Sequence, residues 1–476
     1  MITTTIEVAR LDGTYASLNG PDLEKLERQV GGSLLRPGDV GWEDSIRLWN
    51  ALVQKTPAIA VQPTSAEEVA AAVLFAREHG LMISVKGGGH NLGGTAIAEG
   101  GLLLDMSRMR FVNVDPGAKV AHVGPGCRLG DVDHATQRHG LATVLGFVSK
   151  TGVAGLTLGG GFGYLTRRFG WAVDNLVEVE IVTASGAIRT ANRQDNSELF
   201  WAVRGGGGNF GVVTRFTFLL HEVGPTVTGG LLVWSADESH AVRDMYLRLA
   251  ESAPRALTAA LVIQLAPPAP YVPTAFHHKP IMALLVCHSG PNAEADLAEA
   301  RATGTPVVDM VTDRPYAAQQ ALIDAMQPDG MHQYWKSEYL PGLSPAYLDI
   351  FVDRALSQTS PLSYSVVFPI GGAINDHAGD DGAVGNRDAR YVTGFSGVWT
   401  PDDPRSSEHI AWVRESWEQI RPFSTGGNYV NFNQADDDDA RTAAAYGENY
   451  RRLQRAKATF DPDNLFRVNR NIRPAV

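Results

Sequence analysis

Residues 57–94 read PAIAVQPTSAEEVAAAVLFAREHGLMISVKGGGHNLGG, a pattern that predicts strand, helix, strand and then a glycine-rich loop. The short apolar run AIAVQP (58–63) has the length of a strand, and LMISVKG (81–87) is a second. Between them, TSAEEVAAAVLFAREHG (64–80) carries the punctuation of a helix. Thr64 or Ser65 caps it, Glu67 and Glu68 sit in its first turn, and Gly80 lies just past its end. The second strand delivers the chain into KGGGHNLGG (86–94), where glycines flank His90 on both sides. Glycine has no Cβ, so the backbone can approach a ligand closely here. A histidine in that setting has four available roles: metal ligand, base, helix cap or point of covalent attachment.

Two more glycine clusters follow, GVAGLTLGGGFG (152–163) and RGGGGNFGVV (204–213). Apolar residues such as Val153, Leu156, Phe162 and Phe210 interleave with the glycines, which a solvated linker would not carry. The three clusters therefore predict several close backbone approaches to one extended ligand. VEVEIVTASGAIRTA (177–191) predicts a hairpin across Ser185 and Gly186, and VVTRFTFLLHEV (212–223) one more strand. After about residue 222 the character changes: Pro-rich LAPPAPYVPT (265–274) and alternating strand and helix candidates predict a second domain. The tail RTAAAYGENYRRLQRAKATFDPDNLFRVNRNI (441–472) reads as an amphipathic helix followed by a short loop.

Composition narrows the classes. With 476 residues, 44% hydrophobic and 20% charged, the chain is an ordinary globular protein of two domains or one with an insertion. A net charge of −11 and the absence of a basic stripe argue against nucleic acid or an anionic membrane as partner. The two cysteines, Cys127 and Cys287, lie far apart, so neither a disulfide framework nor a cysteine zinc site is expected. The start, MITTTIEVARLDG, lacks the pattern of a secretion signal, and no apolar run is long enough to span a bilayer, so the expected compartment is the cytoplasm. No GxxxxGK[ST] and no GxGxxG after the first strand occur, which excludes a P-loop and disfavours a Rossmann site. His277, His278, His288, His332 and His377 show no metal-ligand spacing, and no GxSxG elbow is present. A strand ending in VKGGGHNLGG still offers the free N–H groups of a pyrophosphate nest, so a dinucleotide bound by another fold is the natural inference.

These stretches, with GGLLLDMSRM (100–109), GLTLGGGFGYLTRRFGWAVDNL (155–176), ELFWAVRGGGGNFGVVTRF (198–216) and YGENYRRLQRAKATFDPDNLFRVNRNI (446–472), resemble the FAD-linked oxidases of the vanillyl-alcohol oxidase superfamily. The tail is similar to the C-terminal segment of the berberine bridge enzyme-like branch. The resemblance covers about residues 35–222 and 425–474. It implies an α+β fold: a two-part, PCMH-type FAD-binding domain with an inserted α+β substrate domain. The divisions are 1–222, 223–425 for the insertion, and 426–476 completing the FAD domain.

The resemblance also assigns residues. It makes His90 the covalent FAD attachment site, through the flavin 8α-methyl group. Many members add a cysteinyl link seven residues before the position of Gly155, and there this chain has Val148. A singly attached flavin follows, as in bacterial members similar to 6-hydroxynicotine oxidases. Around it the resemblance places Lys86, Gly87, Gly88, Gly89, Asn91 and Gly93 from the first loop. Ser149, Thr151, Gly152 and Gly155 run along the ring, with Gly159, Gly160 and Gly161 near the phosphates. Asp105, Asn175, Val213 and Asn469 complete the nucleotide contacts.

For catalysis, NYVNF (428–432) resembles a Y-x-N motif, making Tyr429 the base or hydrogen-bond partner and Asn431 its support. FPIGGAINDHAG (368–379) resembles a strand that supplies a catalytic glutamate in some members, with Asp376 at that position. Lys336 in HQYWKSEYL (332–340) fits two roles, lining the cavity or pinning the domain interface. The activity implied is oxidation of a secondary alcohol, sugar hydroxyl or amine carbon of a small molecule, with molecular oxygen reduced to hydrogen peroxide. A dehydrogenase or oxidative cyclase with slow oxygen reactivity is the alternative, and a catalytically silent flavin carrier is the rival from another class. The oligomer expected is a monomer or homodimer, with no metal.

Overall fold

The structure, a computed structural model, describes residues 5–31 and 33–475. Residues 1–4, the beginning of the segment read for a secretion signal, lie outside the described residues. The strand–helix–strand unit forms where its sequence places it. Strands Ile59–Val61 and Ile83–Lys86 flank helix Ala66–Glu78, and the Ser65 side chain caps that helix by accepting from the Glu68 N–H. The two strands are not neighbours, however. Leu102–Asp105 lies between them and pairs parallel with both, and Leu34–Leu35 adds an antiparallel edge. The helix buries Val69, Val73 and Phe75 on this four-stranded sheet.

A second, five-stranded antiparallel sheet runs in the order Ile188–Asn192, Leu176–Val182, Val212–Leu219, Val120–Val123, Val112–Asp115. The expected hairpin turns at Gly186, whose φ of +77° is left-handed. A Cβ there would also lie 2.6 Å from Leu74, so the glycine lets the hairpin dock on helix Ala66–Glu78.

The third sheet is eight-stranded and built from residues 226–399, the stretch whose changed character predicted a separate unit. Its strands alternate in period two between two apolar faces. One face carries Leu232, Leu261, Met282 and Leu284, which pack beneath helices Ser239–Ser252, Pro345–Leu356 and Ser406–Ile420. On the other face the short helix Tyr316–Gln320 packs against one end, with Gln319 donating to the Val286 carbonyl at 3.0 Å, and the rest looks back toward the glycine clusters.

The tail departs from a single helix. It forms Asp439–Tyr446 and Tyr450–Phe460, broken at Gly447, whose φ is +54°. From the second helix, the fully buried Lys457 ammonium donates to the carbonyls of Asn209 (2.7 Å) and Phe466 (2.9 Å) and pairs with Asp461 at 2.6 Å. Asn209 in turn accepts from the Ile472 N–H at 2.9 Å. This buried knot ties the end of the chain to the third glycine cluster.

Candidate active site

The three glycine clusters, the second face of the large sheet and the NYVNF turn surround one cavity of about 750 Å³. His90 stands in its wall. The ring stacks on Trp49 with centroids 4.3 Å apart and planes 13° from parallel, and Trp49 is itself held by its backbone N–H donating to the Gly89 carbonyl at 3.0 Å. The buried Nε2 of His90 has no hydrogen-bond partner among the described residues. Burial, aided by the positive charges of Arg128 and Lys150, lowers its pKa to about 3. The imidazole is therefore neutral at pH 7, with a nitrogen whose lone pair or proton is unused.

The wall around it is made of backbone. A Cβ on Gly88 would lie 2.4 Å from the Gly152 Cα, and one on Gly152 would lie 2.3 Å from the Gly88 nitrogen. The first and second glycine clusters therefore touch main chain to main chain, which only glycine permits. Gly159 is equally constrained, since its Cβ would meet the Asn431 side-chain oxygen at 2.1 Å. Asn431 donates from Nδ2 to the Leu156 carbonyl (3.0 Å) and to the Tyr429 hydroxyl (2.8 Å). The Gly161 N–H donates to the same hydroxyl at 3.2 Å. With two donors aimed at it, the Tyr429 oxygen has its own proton left to give. Burial pushes its pKa above the ordinary phenol value, which keeps the hydroxyl neutral and suits it to the hydrogen-bond-partner role of the two the resemblance implies.

The sequence-derived residues divide into two groups. Gly87, Gly88, Gly89, His90 and Asn91 line the cavity, as do Thr151, Gly152, Gly155 and Gly159, and likewise Val213, Tyr429, Asn431 and Asn469. Val148, at the position of the second link, also lines it; Cys127 and Cys287 are buried elsewhere, and burial raises both thiols, to about 11 and about 12.

The rest support the site from behind. Lys86 donates to the carbonyls of Asp44 and Ser45 and lies 3.6 Å from Asp105, which accepts from Gln62 at 2.9 Å. Gly93 packs on the Arg470 guanidinium, and the Ser149 backbone and hydroxyl donate to Asp324. Gly160 and Gly161 turn the chain at φ +113° and +77° without lining the cavity. Asn175 donates to the carbonyls of Phe169 and Trp171, where it shapes a loop and touches no ligand space.

Asp376 is the clear correction. Its side chain is 57% exposed and forms a two-bonded pair with Arg255, outside the cavity. The carboxylate is already committed to a surface cation, and among the described residues no Asp or Glu lines the cavity at all. Lys336 is settled by strand alternation: it turns away onto Asp436 and Asp437, while its neighbour Trp335 faces the cavity. Trp49 was not legible, since it sits far upstream of His90 in a stretch without periodicity or motif. Among the described residues no three His, Cys, Asp or Glu side chains gather to hold a metal, and no helix is long and apolar enough to cross a membrane.

A glycine-built wall, one unpartnered neutral histidine and a Tyr-Asn pair around a single cavity have the make-up of a cofactor pocket. Comparisons with known proteins agree. The FAD binding domain family matches residues 57–192, and the berberine and berberine-like family matches residues 428–473. An (R)-6-hydroxynicotine oxidase of Paenarthrobacter nicotinovorans is 30% identical over 94% of this chain and 97% of its own. An FAD-linked oxidoreductase of Dictyostelium discoideum is 29% identical over 94% of this chain and 95% of its own. The solved 6-hydroxy-D-nicotine oxidase of Arthrobacter nicotinovorans superposes with a TM-score of 0.82 at 28% identity, covering 93% of this chain and 98% of that one. The chain belongs to the berberine bridge enzyme-like FAD-linked oxidoreductases, with a mixed α+β fold and a PCMH-type FAD-binding domain.

Proposed function

We propose that this protein is an oxidase whose FAD is attached covalently through His90 alone, and that it oxidises a CH–OH or CH–NH group of a small molecule. The observation that carries this is the neutral, unpartnered Nε2 of His90 in the glycine-built wall. A neutral imidazole is a nucleophile near pH 7, and a cofactor held against it makes the attachment effectively intramolecular. When bound, FAD supplies the two-electron acceptor that lets substrate lose a C–H hydrogen with its electron pair and an X–H proton, forming C=X while oxygen becomes hydrogen peroxide. Gly88 and Gly152 would admit the cofactor between the two loops. Asn431 orients Tyr429, whose hydroxyl donates a hydrogen bond into the cavity and steadies the reacting oxygen or nitrogen. The division of labour is that of residues 1–222 with 426–476 for the cofactor and residues 223–425 for the substrate.

The test is an intact mass of the denatured protein, freed of small molecules, beside a His90→Ala variant. One FAD of excess mass in the parent and none in the variant supports the attachment, and peroxide release on substrate addition supports the oxidase. No excess in either protein overturns the covalent link. Dye reduction without peroxide would make the enzyme a dehydrogenase instead.

A further inference from the structure

Resting on that reading, we infer that the substrate is an uncharged molecule with a flat aromatic ring system, and not a sugar or an ion. The inserted sheet carries the argument. An apolar sheet face in a folded protein is covered by another layer; here three helices cover one face, and on the other the short helix Tyr316–Gln320 covers one end and leaves the rest to the cavity. On the other, Leu231, Val233, Val262, Ile281, Ala283 and Leu285 all line the cavity. Their strand neighbours Leu232, Leu261, Met282 and Leu284 point into the helix-covered core, so the alternation that builds one hydrophobic core also builds this wall. The strands add just two polar side chains to the cavity among the described residues, Gln264 and Tyr364.

Around this wall the rings form a connected frame. Trp335 meets Tyr364 edge to face at 5.8 Å and Phe432 at 5.3 Å. Further along, Phe147 stacks on Phe368 at 4.7 Å with planes 24° apart. Rings that brace one another in this way keep their orientation and present flat and edge surfaces to an aromatic ligand.

Charge is absent from the same region. Among the described residues no Asp, Glu or Lys lines the cavity, and the arginine that does, Arg470, is spent on the carbonyls of Asn433 and Gln434 near the tail. His90 is neutral, and His278 at the cavity is the other ionisable nitrogen. An anion or ammonium would lose its hydration with no counter-ion in return. A sugar would leave most of its hydroxyls without partners against the aliphatic wall. An amine substrate therefore binds as the free base, and kcat/KM for it rises with pH through the amine's own pKa.

The experiment is calorimetric titration of the holoenzyme at pH 7 with four probes: 2-naphthol, 2-naphthoate, 2-naphthylmethylammonium and cellobiose. We expect 2-naphthol to bind at least about tenfold more tightly than the other three. Trp335→Ala should weaken 2-naphthol about tenfold while flavin content stays unchanged, and Trp335→Leu, which keeps apolar bulk, should show the same loss if the ring itself matters. Either charged probe or cellobiose matching 2-naphthol overturns the inference, as does unchanged 2-naphthol binding in both Trp335 variants. Calorimetry reads binding whether or not the flavin is covalent and whether or not peroxide appears. The failure of the proposed function and the failure of this inference are thus separate results.

Discussion

The two walls of the cavity are made of different material. On the FAD-binding side, Gly88, Gly152 and Gly159 bring backbone against backbone or against Asn431, with no room for a single added carbon. On the inserted side, aliphatic and aromatic side chains from an antiparallel sheet do the shaping. Backbone geometry is hard to vary without losing the fold, so it suits a cofactor whose shape never changes. A side-chain wall can be rewritten residue by residue while the sheet's helix-covered face holds the fold. On the proposed function, one wall specifies chemistry and the other specifies which molecule undergoes it.

The contrast is broken most severely on the glycine side. Gly152→Ala places a carbon 2.3 Å from the Gly88 nitrogen, with main chain on both sides and nothing flexible to give way. We expect destabilisation of about 3 kcal/mol or more and loss of flavin from the purified protein, read by thermal unfolding and by visible absorbance. A change on the sheet side, Val233→Ala, which removes two methyl groups, should keep flavin and alter only substrate affinity. If Gly152→Ala keeps its flavin, the glycine wall is not the cofactor wall.

Between the two walls stands Tyr429, and Tyr429→Phe sharpens the comparison by removing one oxygen. The Gly161 N–H and the Asn431 amide lose their acceptor, and the cavity loses its donor. We expect kcat to fall about 10- to 100-fold with flavin attachment intact, and the pH profile to show no ionisation of a phenol in the working range. A lost limb of the pH profile would instead make Tyr429 the base.

The same difference explains what was legible. Cofactor residues announce themselves because backbone contacts demand glycine, and glycine clusters around a histidine are visible without coordinates. His90 and Gly152 were singled out that way, the Tyr429–Asn431 pair by its resemblance to a Y-x-N motif, and all four line the one cavity. Lys86, Asp105 and Asn175 were found too, but as residues that brace the site, since sequence marks a neighbourhood and not which side of a loop a polar group takes. Trp49 was hidden because its contact with His90 is made across folded space. Strand alternation in residues 226–399 was visible as strands. Which of the two apolar faces would receive helices depends on packing that no single strand encodes. Asp376 was misplaced for a related reason: its local motif matched, while Arg255, its partner, lies on a different element.

The seam between the walls gives a smaller, pH-dependent effect. Asp133, on the FAD-binding side, is fully buried and accepts from Gln320 of the inserted part at 3.1 Å, with no cation beside it. Burial raises its pKa to about 7, so the folded protein holds a proton that the unfolded chain releases near 3.8. This contribution to stability is fully present below the ordinary carboxyl value and is lost as the pH climbs toward 7. Asp133→Asn keeps the acceptor for Gln320 and has no charge to bury. Its unfolding temperature should exceed the parent's by more at pH 8 than at pH 5, by about 2 °C or more. Equal differences at both pH values would mean that the carboxyl is ionised at the seam.

The smallest effect belongs to a residue outside both walls. Asp376 and Arg255 form an exposed pair, their side chains 57% and 53% accessible, and exposed pairs of this kind contribute about 0–1 kcal/mol. Asp376→Asn should shift the unfolding temperature by little, and less still in high salt, which already screens the pair. Because the carboxylate lies outside the cavity, kcat and KM should stay within about twofold of the parent. A drop of a hundredfold or more in kcat with flavin retained would restore Asp376 to the reaction. That result would require the segment 368–379 to close over the cavity during turnover, breaking the Arg255 pair each time, and Arg255→Ala should then raise kcat by freeing it. Without such a rise, a slow Asp376→Asn enzyme would point to a disturbed Asn375 turn, which holds the carbonyls of Arg387 and Ala389.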